Sequence, residues 1–171
     1  MTTQQIIILG SAYLIELVAV VYLTRATARR VVGALVGAAA AGLLAMGAIA
    51  LGEALGWWRV SLAPTLYFLP LIYLGLSSLT PIYLVTWRLV RRFGWRGLAA
   101  FIGIVAIIGP PRDYLIAAKF PQWMVFAPGI APILADAATY AALVFVGHEA
   151  MRLIAGPVRA DRLTRQPIRA A

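Results

Sequence analysis

The 171-residue chain has no cysteine and a single histidine, His148. Disulfides, thiol redox chemistry and thiolate metal sites are therefore excluded. Within one chain, so are bis-histidine haem, cysteine-held clusters and the common zinc ligand sets. His148-Glu149 looks like the opening of a zinc-protease helix motif, but position 152, where the second histidine would stand, is Arg152. No phosphate-cradling glycine loop, dinucleotide fingerprint or convincing Ser/His/Asp set is present, and no cofactor is expected. Charge is scarce as well. Only 12% of residues are charged, with 6 acidic side chains against 15 basic ones and a formal net charge of +9.

What fills the chain instead is apolar: 63% of residues are hydrophobic and the mean hydropathy is +0.89. Soluble domains hold about 45–50% apolar and about 25% charged residues. A soluble fold of this size has too little interior to hide so much apolar surface. A bilayer acting as solvent removes that difficulty, and the length allows about five or six spans of about 20 residues each. A nucleic-acid protein can share the positive balance but not this hydropathy, so nucleic acid is not an expected partner.

Five apolar segments predict an all-α integral membrane bundle of about five transmembrane helices. The expected spans are residues 6–23, 31–55, 62–87, 97–118 and 131–155, forming a single transmembrane domain over 1–155, with a basic tail at 156–171. The first segment lacks a positive leader; Arg25, Arg29 and Arg30 follow its apolar run rather than precede it, so it reads as a retained helix. The fourth segment is short, because the 15 residues Gly97–Pro111 rise only about 22 Å against a hydrocarbon core of about 30 Å. The favoured reading continues the helix through Pro110-Pro111 to Ala118. The alternative lays Arg112–Gly129 along the interface. Tyr114, Phe120, Trp123 and Phe126 suit an aromatic belt in either case.

Orientation follows from arginine. Three clusters (Arg25/Arg29/Arg30, Arg88/Arg91/Arg92/Arg96 and Arg152/Arg159/Arg162/Arg165/Arg169) put 12 of the 15 basic residues on one side of a five-span chain. Only Arg59, Arg112 and Lys119 fall on the other. The positive-inside rule then places the N-terminus outside and the C-terminus in the cytoplasm of a bacterial inner membrane, with the tail on anionic lipid.

Several motifs carry two readings. In the second segment Gly33, Gly37 and Ala41 are four apart, as are Ala34, Ala38 and Gly42. Such stripes serve either a homo-oligomer interface or close packing within the bundle. Glu16 lies at membrane depth and is expected to face the bundle interior or a polar cavity, as a ligand- or proton-binding group or as a helix-tying carboxyl. Glu53, Arg59, Arg112, Asp113 and Asp136 fall in one layer near the outer interface, where they form either a mixed-charge pocket roofed by Trp57, Trp58 and Trp123 or a set of ion pairs such as Asp136 with Arg112. The stretch Phe120–Pro132, broken by proline and glycine, is either a re-entrant loop or a surface connection. Pro70 and Pro81 are hinges or static kinks, with Ser77, Ser78 and Thr80 at hand to bond freed carbonyls.

Taken together these features predict a non-enzymatic multi-pass protein. It binds or helps move an apolar or amphipathic, lipid-like ligand, or serves as a membrane subunit of a larger complex. In the ligand-binding form, Glu53, Arg112, Asp113 and Asp136 take the polar part and Trp57, Trp58 and Trp123 surround the apolar part. The alternative is an intramembrane enzyme acting on a lipid or isoprenoid, with Asp113 or Asp136 as general acid/base and Arg112 binding a phosphate or carboxylate.

Overall fold

The computed structural model describes residues 3–60 and 68–156. Pro64, the start of the expected third span at Leu62, and the tail arginines Arg159, Arg162, Arg165 and Arg169 lie outside the described residues. Five helices and one small ribbon are present: α1 (Thr3–Thr24), α2 (Ala28–Ala54), β1 (Trp58–Val60), α3 (Phe68–Phe93), α4 (Trp95–Lys119), β2 (Met124–Phe126) and α5 (Ile130–Ala155). Of these, α2, α4 and α5 are long and apolar enough to cross a membrane.

The chain runs up and down. α2 packs most extensively on α5, α5 also on α4, and α3 touches α1, α2 and α4. The joints explain the alternation. α1 ends where Arg25 takes a left-handed backbone (φ 49°), its N–H bonding Tyr22 O at 3.1 Å while the Ala26 N–H bonds Val21 O at 3.1 Å. That bond pair closes a helix end of the Schellman type, a position glycine normally fills. α2 closes in the same way with Gly56 (φ 70°), the Trp57 N–H reaching Gly52 O at 2.8 Å. Between α3 and α4 a single residue, Gly94 (φ 65°), turns the chain, and Gly97 sits so close to the Leu89 carbonyl that a Cβ there would collide with it.

The seam between α2 and α5 is built from small residues. Gly33, Ala34, Gly37, Ala38 and Ala41 are buried. A Cβ on Gly37 would strike the Gly147 carbonyl, and one on Gly147 would overlap the Tyr83 ring, which crosses α5 and donates from its hydroxyl to Leu143 O at 2.9 Å. In this chain the Gly33/Gly37/Ala41 stripe therefore serves packing inside the bundle. Tyr83, Leu84, Trp87 and Met151 complete the core. Buried hydroxyls satisfy themselves within their own helix: Thr80 bonds Leu76 O at 2.5 Å and Thr86 bonds Ile82 O at 2.7 Å.

The rest of the apolar surface points outward. Ile15, Leu23, Leu43, Ile107, Leu134 and Leu153 are all exposed, Leu153 at 83%. An interior of alanine and glycine under a coat of leucine and isoleucine inverts the soluble pattern, as expected where lipid rather than water surrounds the helices.

Two sequence expectations are modified. The helix does continue through Pro110-Pro111, and α4 reaches Lys119, one residue past the expected end. Phe120–Pro132, read as a re-entrant loop or a surface connection, contains a short strand and, from Ile130, the start of α5. After a turn at Pro121–Trp123 it forms β2, paired antiparallel with β1 (Trp58↔Phe126, Arg59↔Val125, Val60↔Met124). The all-α class holds, and the ribbon is a local addition that was not legible because three-residue strands leave no alternation to read. The third helix also runs past the expected end at Trp87 to Phe93, taking Arg88, Arg91 and Arg92 into its last two turns.

Candidate functional site

The ribbon and the helix ends that carry it gather Glu53, Trp57, Trp58, Arg59, Arg112, Asp113, Trp123 and Asp136 at one end of the bundle. They do not form one pocket. They divide into an open groove beside the ribbon and a polar cluster between α4 and α5.

The groove has a volume of about 650 Å³ and is lined by Glu53, Gly56, Trp58, Arg59, Val125, Phe126, Ala127 and Pro128. Each wall has a local cause. Trp58 folds back over Gly52, whose missing side chain makes room for the indole, and its Nε1–H donates to Ile49 O at 3.2 Å. Glu53, in the last turn of α2, accepts the Val60 N–H on Oε1 at 2.9 Å and so ties strand to helix. The Ala127 N–H extends the ribbon by bonding Trp57 O at 2.8 Å. Arg59 stands on the exposed face of β1 with no hydrogen-bond or ion-pair partner among the described residues.

The cluster lies about two turns inside the ends of α4 and α5. Tyr140 covers Gly109, where a Cβ would overlap its ring, and donates from its hydroxyl to Asp113 Oδ2 at 2.8 Å. Arg112 Nε lies 3.7 Å from Asp113 Oδ1, a loose pair with the guanidinium side largely exposed. Asp136, one turn before Tyr140 on α5, is 7% exposed and close enough to interact electrostatically with Asp113 and Arg112. The Asp136 Oδ2 atom and the Tyr114 hydroxyl are buried without a hydrogen-bond partner among the described residues. The anticipated Asp136–Arg112 ion pair is replaced by the Arg112–Asp113 contact.

An aromatic run joins the two places. Tyr114 stacks on Phe126 (4.2 Å, 16°), Phe126 meets Trp58 edge-on at 6.0 Å, and Trp58 touches Trp57 at 6.1 Å. Of the three tryptophans expected to roof a pocket, only Trp58 lines the groove. Trp57 packs behind it, and Trp123 stacks on Phe120 at 4.5 Å. Tyr140 was not singled out by sequence; its place one helical turn after Asp136 was the available signal.

Glu16 departs from expectation most clearly. It is exposed on α1 and has no partner among the described residues, so it neither faces the interior nor joins either polar site. His148 is buried against Trp87 (6.2 Å between rings), and Glu149 pairs with Arg152 at 2.8 Å. Among the described residues no three His, Asp or Glu side chains converge on a metal position. Comparison of the chain with family models, with curated proteins and with solved structures finds no match.

Proposed function

We propose that the chain is a five-span protein of a bacterial cytoplasmic membrane, N-terminus outside, that binds an amphipathic ligand non-enzymatically in the groove beside the ribbon. The observation that carries this reading is the groove itself: about 650 Å³, walled mainly by Trp58, Val125, Phe126 and Pro128, with Arg59 as a charged group lacking a partner among the described residues. Ligand sites are typically concave and apolar, about 300–1,000 Å³, with few oriented polar groups. Because Glu53 is engaged with the Val60 N–H, the head group that Arg59 selects is acidic, and the ligand body lies on the aromatic wall. The five-span orientation is supported by the grouping of Arg25, Arg29, Arg30, Arg88, Arg91, Arg92, Arg96 and Arg152 at the opposite end of the bundle.

Native mass spectrometry of the protein gently extracted from its own membrane tests the reading. A retained acidic amphiphile of defined mass is expected, lost in Arg59→Gln and in the groove-filling Val125→Trp variant. Protein that carries no small molecule, or one that survives both substitutions, overturns ligand binding here; co-purifying subunits would then favour a structural role in a complex.

A further inference from the structure

α1 lies at the edge of the bundle and touches chiefly α3. One face of it presents Leu17, Val20 and Val21 to the core. Beside that face Ala12, Glu16, Ala19 and Leu23 follow at spacings of four, three and four residues, and all four are exposed. That is the spacing of a helix–helix seam. The other small-residue stripe of the chain is already used, because Gly33 and Gly37 face α5.

Glu16 gives this seam its chemistry. It stands nine residues before Arg25, about 13 Å along the axis, close to the middle of a hydrocarbon core about 30 Å thick. It has no hydrogen-bond or ion-pair partner among the described residues. An acidic side chain at that depth is costly in lipid and normally turns toward a partner or a polar cavity. Glu16 turns toward neither, so the group that meets it comes from outside the chain and must lie at the same depth. A second copy satisfies that condition. All copies insert in one orientation, and a two-fold axis along the membrane normal sets residues of equal number side by side. Ala12 and Ala19, one turn before and one turn after, are small enough to let two α1 helices come close there. The sequence has no basic residue in the middle of any expected span, so the pairing between copies is carboxyl to carboxyl, one donating and the other accepting.

We propose that Ala12, Glu16, Ala19 and Leu23 form the interface of a parallel homodimer, in which the two Glu16 side chains hydrogen-bond to each other across the two-fold axis. The inference rests on α1 being a span of the five-span reading. It is independent of the groove and of the ligand proposed there.

The cysteine-free full chain allows the test in its own membrane. Oxidation is expected to give disulfide-linked dimers from Ala12→Cys and Ala19→Cys and none from Ile107→Cys, an exposed position on α4. Energy transfer between Arg92→Cys chains, labelled and progressively diluted in liposomes, then measures the dimer dissociation constant. Glu16→Leu and Ala19→Leu are each expected to raise it about three- to thirtyfold, and Glu16→Gln, which keeps a donor and an acceptor, by less than about threefold. Thermal melts verify that each variant is folded; if Glu16→Leu is not, Ala19→Leu decides the matter. A monomer at every dilution overturns the proposal, as does a dimer indifferent to both leucine variants. Adducts of Ala19→Cys solely with other proteins also overturn it and assign the face to a different protein. Thr3→Cys and Arg25→Cys, probed with an impermeant maleimide, separate the interface from the topology beneath it. If the two react from opposite sides, α1 is a span and a missing dimer counts against the interface alone. If they react from the same side, the span and the interface fall together.

Discussion

Asp113 and Asp136 lie on facing helices, yet their surroundings differ. Asp113 has a hydroxyl donor and a guanidinium at hand, whereas one oxygen of Asp136 is buried without a donor among the described residues. Removing the Tyr140 hydroxyl with Tyr140→Phe leaves an acceptor on Asp113 unmet and is expected to cost about 1–2 kcal/mol, read as a lower midpoint in a denaturant melt. Asp136→Asn should instead leave stability unchanged or raise it by up to about 1 kcal/mol, since it replaces a buried carboxylate by a neutral isostere. A large loss of stability in that variant would show that the carboxylate is held by a partner in the membrane. Arg25 gives a prediction of opposite sign. Its left-handed backbone costs a non-glycine residue about 1 kcal/mol, so Arg25→Gly is expected to raise the melting temperature. The polar layer that holds these acids was legible from the up-and-down order of the apolar spans, which puts Glu53, Arg112, Asp113 and Asp136 at one end. Its division into groove and cluster was not, since that depends on Tyr140 covering Gly109 and on Trp58 folding over Gly52. Glu16 shows the limit of the depth argument: an acid inside an apolar run need not face inward when its helix lies at the edge of the bundle, touching chiefly α3.

Among the elements, the α2–α5 seam and the ribbon respond to mutation in different ways. Gly37→Leu forces a side chain into the Gly147 carbonyl and is expected to destabilise the fold by about 3 kcal/mol or more, separating the two helices. The same substitution at Gly42, where a Cβ meets nothing, should be tolerated. Comparing melting temperatures of the two variants in one detergent checks the pair. Helix positions were well marked in the sequence because each apolar run of about 20 residues has few other readings. Boundaries moved where composition misleads. α3 extends through Arg88, Arg91 and Arg92, because charge ends a hydropathy window without ending a helix. α4, by contrast, passes Pro110-Pro111 as the favoured reading had it, although those residues offer no N–H to the carbonyls of Ala106 and Ile107. The ribbon escaped notice because Trp58–Val60 and Met124–Phe126 are too short to show a period and are fixed by pairing across the fold.

For the whole molecule, arginine placement and the absence of cysteine combine usefully. Every described arginine of the turns and helix ends at the α1–α2 and α3–α4 joints lies at one end, and the ribbon lies at the other. Single cysteines can therefore be introduced into a background with no competing thiol. Val125→Cys is expected to react with an impermeant maleimide added to intact spheroplasts, whereas Arg92→Cys should react only after the membrane is opened. The reverse pattern would invert the proposed orientation.

The single-residue joint at Gly94 bears on how such a chain is made. With only one residue between them, α3 and α4 cannot settle at separate times at separate depths: the end of the first fixes the start of the second. In the proposed five-span topology the two therefore enter the bilayer as one helical hairpin, with the arginines at its bend left on the side of synthesis.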